Sequence, residues 1–112
     1  MDVSTLGKFR IVGPQASELV DRLVPTRVLD LPDGASRYTL VLDEAGYMID
    51  DGLVCSLGDQ GWYLTTTSGG ADRLEASLRN WADRLDLDVR ILNQTAMAGA
   101  INVAGPLARD LL

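Results

Sequence analysis

Apolar residues near the start of the chain fall on one helical face. Ala16, Leu19, Val20, Leu23 and Val24 recur at i, i+3, i+4, i+7 and i+8, the spacing of an amphipathic helix. Pro14, preorganised for a first helical position, opens it, and Pro25 closes it. Before the helix, Lys8 to Val12 alternates polar and apolar residues, and Gly13-Pro14 punctuates, which predicts a strand, a turn and a helix. After the turn signal Leu31-Pro32-Asp33-Gly34 the period shortens. Three runs rich in β-branched and aromatic residues follow, from Ser36, from Tyr47 to Cys55 and from Trp62 to Thr67. The short connections Asp43-Glu44-Ala45-Gly46 and Gly58-Asp59-Gln60-Gly61 join them as an antiparallel meander.

A second helix is predicted after Ser68-Gly69-Gly70, with Ala71, Leu74, Leu78, Trp81 and Leu85 on one stripe. Asp88 to Leu92 reads as a short strand, and Met97 to Val103 as a further strand because its apolar residues lack helical period. The expected order is β-α-β-β-β-α-β-β, an α+β domain of ferredoxin-like type with helices on one face of a mostly antiparallel sheet. Gly105-Pro106-Leu107-Ala108-Arg109-Asp110-Leu111-Leu112 echoes Gly13-Pro14-Gln15-Ala16-Ser17-Glu18-Leu19-Val20, class by class. A further helix is therefore expected to begin at the C-terminus and to be cut short there, the plainer alternative being a frayed final helix docked on the sheet. No linker or low-complexity stretch interrupts the chain, so its 112 residues read as one unit.

Composition narrows the chemistry. The chain is 46% apolar and 23% charged, ordinary globular values. No apolar run approaches the roughly 20 residues of a membrane span, and the polar residues after Met1 predict no secretory leader. A net charge of −6 argues against a nucleic-acid partner, because such partners are held largely by Lys and Arg clusters. Cys55 stands alone, which rules out an internal disulfide and suits a reducing, cytoplasmic setting. There is no histidine, so neither a zinc site of the usual ligands nor a histidine-activated nucleophile can be built. P-loop and G-x-G-x-x-G signatures are missing as well. Carboxylates, hydroxyls and aromatic rings remain.

Among these, Asp50-Asp51 is the unusual feature, two carboxylates inside an apolar strand. Alternation gives Asp51 the face of Tyr47, Ile49, Leu53 and Cys55, and gives Asp50 that of Met48, Gly52 and Val54. A carboxylate among apolar neighbours needs donors or a cationic partner, which in a pocket can belong to a ligand. The plainer alternative leaves one aspartate exposed at a sheet edge and pairs the other with Arg37 across the hairpin. A bulge at Gly52 would upset this assignment of faces. Tyr38, Tyr47, Trp62 and Tyr63 can stack on a planar ligand or simply pack, and Thr65, Thr66 and Thr67 are explained by β propensity alone.

Several motifs resemble one family. Asp2-Val3-Ser4-Thr5-Leu6-Gly7-Lys8 followed by a strand and Gly13-Pro14 is similar to the opening of the folate-binding aminomethyltransferases, the glycine cleavage T-protein family. Ser36-Arg37-Tyr38-Thr39-Leu40-Val41-Leu42 leading to Gly46-Tyr47-Met48-Ile49-Asp50-Asp51-Gly52 is similar to that family's hairpin. Leu64-Thr65-Thr66-Thr67-Ser68-Gly69 and Val103-Ala104-Gly105-Pro106 resemble the branch found in the alpha subunit of heterotetrameric sarcosine oxidase. Thr5, where the T-protein has histidine, favours that branch.

The resemblance implies that residues 1–112 are the N-terminal part of a folate-binding, aminomethyltransferase-like domain in a larger subunit. It implies tetrahydrofolate as the ligand here, and FAD, FMN and NAD bound elsewhere in the parent enzyme. Asp51 is implied to be the key folate-site residue, facing a cavity large enough for a pterin. Tyr38, Leu6 and Thr67 fall on folate-contacting positions, although Thr67 replaces an asparagine. The implied reaction passes the one-carbon unit of oxidised sarcosine to tetrahydrofolate, giving 5,10-methylenetetrahydrofolate and glycine. An ordinary aspartate, with a pKa of about 4, is a weak base at neutral pH unless burial raises it. An orienting and charge-stabilising role is therefore expected. Partners implied are the rest of the subunit and the other sarcosine oxidase subunits, with no nucleic acid and no membrane. Two further readings stay open: a folate-binding module without transfer chemistry, and a subunit-interaction module of the same fold.

Overall fold

The computed structural model describes residues 1–112. Five strands form one antiparallel sheet: β1 (Gly7–Val12), β2 (Ser36–Leu42), β3 (Met48–Ser56), β4 (Trp62–Thr66) and β5 (Arg90–Asn93). Their spatial order is β2-β3-β4-β1-β5. Without the edge strand β2, this order is the split-βαβ arrangement of a ferredoxin-like fold. Helices α1 (Ala16–Leu23) and α2 (Ala71–Arg84) contact each other and the central strands. No helix is long and apolar enough to cross a membrane.

The helical stripes account for the core. On α1, Ala16, Leu19, Val20 and Leu23 are buried, followed by Val24; on α2, Ala71, Leu74, Leu78 and Ala82 are buried. They meet Phe9 and Ile11 of β1, Trp62 and Leu64 of β4, Val54 of β3 and Val41 of β2 in one cluster. Each fully buried side chain of this kind contributes about 1.5–3 kcal/mol. The register puts these strand residues on one sheet face, as Phe9 opposes Leu64, Ile11 opposes Trp62 and Val54 opposes Leu64. Both helices cover that face.

Side chains of the other face alternate with these: Tyr38, Leu40, Asp51, Leu53, Cys55, Tyr63, Thr65, Lys8 and Arg10. Only its β1 end is covered. There the chain after β5 turns back, with Gln94 N–H bonding Lys8 O and Lys8 N–H bonding Thr95 Oγ1. Lys8 is 1% exposed. Its ammonium donates to three carbonyls, those of Ser4 at 2.7 Å, Leu6 at 3.0 Å and Thr95 at 3.3 Å.

Two expectations are corrected. Met97 to Val103 is not a strand. It makes one isolated bridge, Asp2 to Ile101, and backbone bonds to Met1 and Val3. Met97, Ile101 and Val103 are exposed, so the apolar pattern there has no layer to pack against. Pro14 lies in the turn before α1, whose first residue is Ala16, two positions later than expected and within ordinary boundary scatter.

The echo between the two Gly-Pro segments is structural. Gly13 and Gly105 both adopt positive φ, +120° and +140°, a region that glycine occupies without cost. Ala16 N–H bonds Gly13 O at 3.2 Å, and Ala108 N–H bonds Gly105 O at 3.1 Å. The second copy opens the one-turn helix α3 (Ala108–Leu111), where Leu111 and the flanking Leu107 and Leu112 are exposed.

Candidate functional site

The β2–β3 hairpin sets the geometry. Asp43 Oδ1 accepts the N–H groups of Ala45 and Tyr47, and Gly46 supplies the positive φ that closes the turn. The register slips once, between Val41 and Leu42, and then runs unbroken from Val41–Asp50 to Ser36–Cys55. Gly52 pairs with Thr39 in that ladder, so alternation holds from Asp50 to Cys55, but the slip falls at Ile49, which packs against the helix-side core and not on the face of Asp51 as expected. Asp51 lies on the open face and is half-buried. Asp50 points to the helical side and is 7% exposed.

Tyr38 and Asp51 form the polar centre of the open face. The Tyr38 hydroxyl donates to Asp51 Oδ2 at 2.5 Å. That bond raises the phenol's pKa above its ordinary value, with desolvation and the nearby negative charge adding to it. Asp51 Oδ1 has no protein partner. Arg37 does not pair with either aspartate. It binds Asp30 at 2.7 Å and the carbonyl of Arg27, and holds the Asp30 carboxyl below the usual range. The edge-charge pairing between Arg37 and an aspartate of β3 is therefore absent.

Thr67 meets the other aspartate. Its hydroxyl donates to Asp50 Oδ1 at 2.9 Å, on the sheet face opposite Asp51. Leu6 precedes β1, whose Gly7 opposes Thr66, so Leu6, Thr67 and Asp51 share one end of the sheet. Strands lie about 4.8 Å apart. β4 stands between β1 and β3, so Leu6 and Asp51 are not neighbours across one strand pair. Thr5 Oγ1 and Ser68 Oγ, 2.8 Å apart, tie the opening loop to the turn after β4.

An enclosed pocket is not part of this arrangement. Three cavities exist, of about 460, 620 and 220 Å³, lying between α2 and β5, along the C-terminal segment, and beside Ser17 and Trp62. None is lined by Asp51 or Tyr38, which corrects the expectation of a cavity in front of Asp51. The open face provides a floor. Tyr38, at 62% exposed, and Leu53, at 43%, flank the carboxylate on it.

Two contributors escaped the sequence reading. Lys8 is a polar position of the alternating run Lys8 to Val12, yet it is 1% exposed, with its ammonium held by the carbonyls of Ser4, Leu6 and Thr95. Thr65 Oγ1 accepts the N–H of Leu53 at 3.0 Å, a contact that no residue spacing announces. Cys55 is half-buried beside Ser36, and burial raises its thiol pKa.

Comparison with known proteins places these features in a family. The chain matches the family model described as GCVT N-terminal domain over residues 1–112. It is 38% identical over 113 residues to sarcosine oxidase subunit alpha of Rhizobium meliloti (strain 1021), covering 99% of this chain and 11% of that protein. It is 35% identical over 112 residues to a probable aminomethyltransferase of Natronomonas pharaonis, covering 99% of this chain and 31% of that protein. The crystal structure of the glycine cleavage system aminomethyltransferase T from Bartonella henselae superposes with a TM-score of 0.75 at 25% identity, over 82% of this chain and 25% of that one. The chain thus spans less than a third of each of these relatives.

Proposed function

The chain belongs to the GCVT N-terminal domain family, and we propose that it forms the floor of a tetrahydrofolate site, with Asp51 as the residue that orients the ligand. The relatives it matches are named as enzymes, sarcosine oxidase alpha subunits and aminomethyltransferases. At the higher identity stands an alpha subunit. The parent reaction we assign is accordingly transfer of the one-carbon unit from oxidised sarcosine to tetrahydrofolate, with glycine as co-product. FAD, FMN and NAD belong to other parts of that parent, and the other subunits of a sarcosine oxidase are its partners. A cytoplasmic location suits the lone thiol of Cys55.

One observation carries this reading. Asp51 is held through Oδ2 by the Tyr38 hydroxyl at 2.5 Å and leaves Oδ1 available on an open sheet face. A carboxylate whose rotamer is set by one donor keeps its second oxygen in a defined place for another. Tetrahydrofolate supplies the nitrogen nucleophiles that accept the one-carbon unit. Asp51 would accept a hydrogen bond from the ligand and stabilise positive charge developing beside it. Tyr38 would fix the carboxylate and offer an exposed ring for stacking. Leu6 would supply apolar contact at the same end of the sheet, and Thr67 would act near Asp50. The remaining walls would come from the rest of the parent chain.

The test uses the full-length protein, wild type against Asp51→Ala, with tetrahydrofolate titrated while sarcosine oxidation is followed. Losing a hydrogen bond to a charged group costs about 1.5–3 kcal/mol, so folate affinity should fall roughly 10- to 100-fold with sarcosine oxidation largely retained. Equal folate dependence in the two proteins would remove Asp51 from the site.

A further inference from the structure

We infer that Asp50 and Thr67 are positioning residues for Asp51, replacing a stretch of sheet ladder that β3 and β4 do not form. This rests on the reading of Asp51 as the folate-orienting carboxylate. The pairing of β3 with β4 runs only from Ser56–Trp62 to Val54–Leu64. Over Asp50 to Leu53 the two strands have no registered pairs, although β3 stays paired with β2 throughout. The N–H groups of Asp51 and Leu53, two residues apart, would ordinarily go to the same neighbouring strand. Here both go to side chains. Asp51 N–H bonds Asp50 Oδ1 at 2.9 Å, and Leu53 N–H bonds Thr65 Oγ1 at 3.0 Å. Gly52 lies between them, where a Cβ would fall 1.8 Å from the Thr65 carbonyl oxygen.

The backbone of Asp51 is thus located by a side chain of its own strand, and that side chain is itself held. Asp50 Oδ1 accepts a second bond, from Thr67 Oγ1 at 2.9 Å. Asp50 Oδ2 has no partner and lies buried against Gly70, where a Cβ would fall 1.7 Å from it. A buried carboxylate with one oxygen unpartnered is costly to keep. Replacing a missing ladder acceptor next to the site is a role that makes this one useful. The effect reaches from the turn before α2 through Thr67 and Asp50 to the backbone from which Asp51 projects.

The test is a double-mutant cycle in the full-length protein, read as tetrahydrofolate affinity by calorimetry with thermal unfolding measured alongside. Thr67→Val is expected to weaken folate binding about fivefold, the scale of one ordinary hydrogen bond. Thr67→Ser, which keeps the hydroxyl, should recover that loss. Thr67→Val in an Asp51→Asn background should cause no further loss, because the hydroxyl acts only through Asp51. Additive losses, or a Thr67→Ser protein as weak as Thr67→Val, would overturn the inference while leaving Asp51 in the site. A Thr67→Val protein that unfolds early but binds folate with wild-type affinity would also overturn it, since the bond would then serve stability alone. An Asp51→Asn protein with wild-type affinity would instead remove the functional reading, and this inference with it.

Discussion

Tyr38 and Asp51 are joined diagonally across the hairpin. In the β2–β3 ladder Tyr38 stands opposite Leu53, and Asp51 stands opposite Leu40. The phenol spans that two-residue offset to reach Oδ2 at 2.5 Å. Diagonal neighbours on one sheet face are about 7–8 Å apart at the backbone, a gap that a tyrosine can bridge and a shorter side chain cannot. The pair therefore depends on register. A slip of one residue would send one partner through the sheet.

The bond has a signature in the alkaline range. Tyr38 is raised first by its hydrogen bond to Asp51, then by desolvation and by the nearby charge. The neutral phenol is the bonded form. The stability it contributes is fully present below the ordinary tyrosine value of 10.0 and is lost as pH rises through the higher folded value. In Asp51→Asn one of the three tyrosines should ionise at lower pH, visible as earlier phenolate absorbance. An unchanged titration curve would mean that the bond does not persist in solution.

Gly52 and Gly69 offer a matched pair. A Cβ at Gly52 would meet the Thr65 carbonyl oxygen at 1.8 Å, whereas one at Gly69 meets nothing within 4 Å. Backbone is the obstacle at Gly52, so relief requires strand movement. Gly52→Ala is expected to lose about 2 kcal/mol or more in urea unfolding. Gly69→Ala should stay within about 0.5 kcal/mol of wild type.

Lys8→Met separates the charge of Lys8 from its packing. The methylene stem is conserved in length, but the carbonyls of Ser4, Leu6 and Thr95 lose their ammonium donor. Removing one partner of a buried polar set costs more than the set contributes, because the other members stay desolvated. A loss of about 2 kcal/mol is expected. Faster amide exchange at Gln94 and Thr95 would show that the covering segment has loosened, while exchange unchanged there would assign the loss to the strand alone.

Cys55 should react slowly. Burial is the larger influence on its thiol and raises the pKa above 9.0, with the hydrogen bond to Ser36 opposing it. The nucleophilic thiolate is scarcer than for an exposed cysteine at neutral pH. Alkylation should lag behind free cysteine and accelerate with rising pH. A rate equal to free cysteine would contradict the burial.

Much of the fold was legible because it depends on periodicity. The spacing of Ala16, Leu19, Val20 and Leu23 led directly to the buried stripe of α1, and the Gly-containing connections to the three-stranded meander. Alternation in β3 put Asp50 and Asp51 on opposite faces, and the register bears that out. It failed at Met97 to Val103, where an apolar run without helical period was read as a strand. Strand formation needs a neighbour with free backbone groups, and the chain there leaves β5 at a turn and runs beside Met1 to Val3 instead.

What the sequence by itself determined is the alternation and helical spacing that make a helix-covered antiparallel sheet, together with two aspartates on opposite faces of one strand. Those properties follow from local backbone geometry, which repeats every two or 3.6 residues. Only the tertiary structure decided that Arg37 answers to Asp30, that Tyr38 answers to Asp51, and that Thr67 reaches Asp50. It also decided that the ladder between β3 and β4 stops at Val54. These depend on how segments 7 to 17 residues apart are brought together, set by how the whole sheet packs on its helices and by no short stretch of the chain.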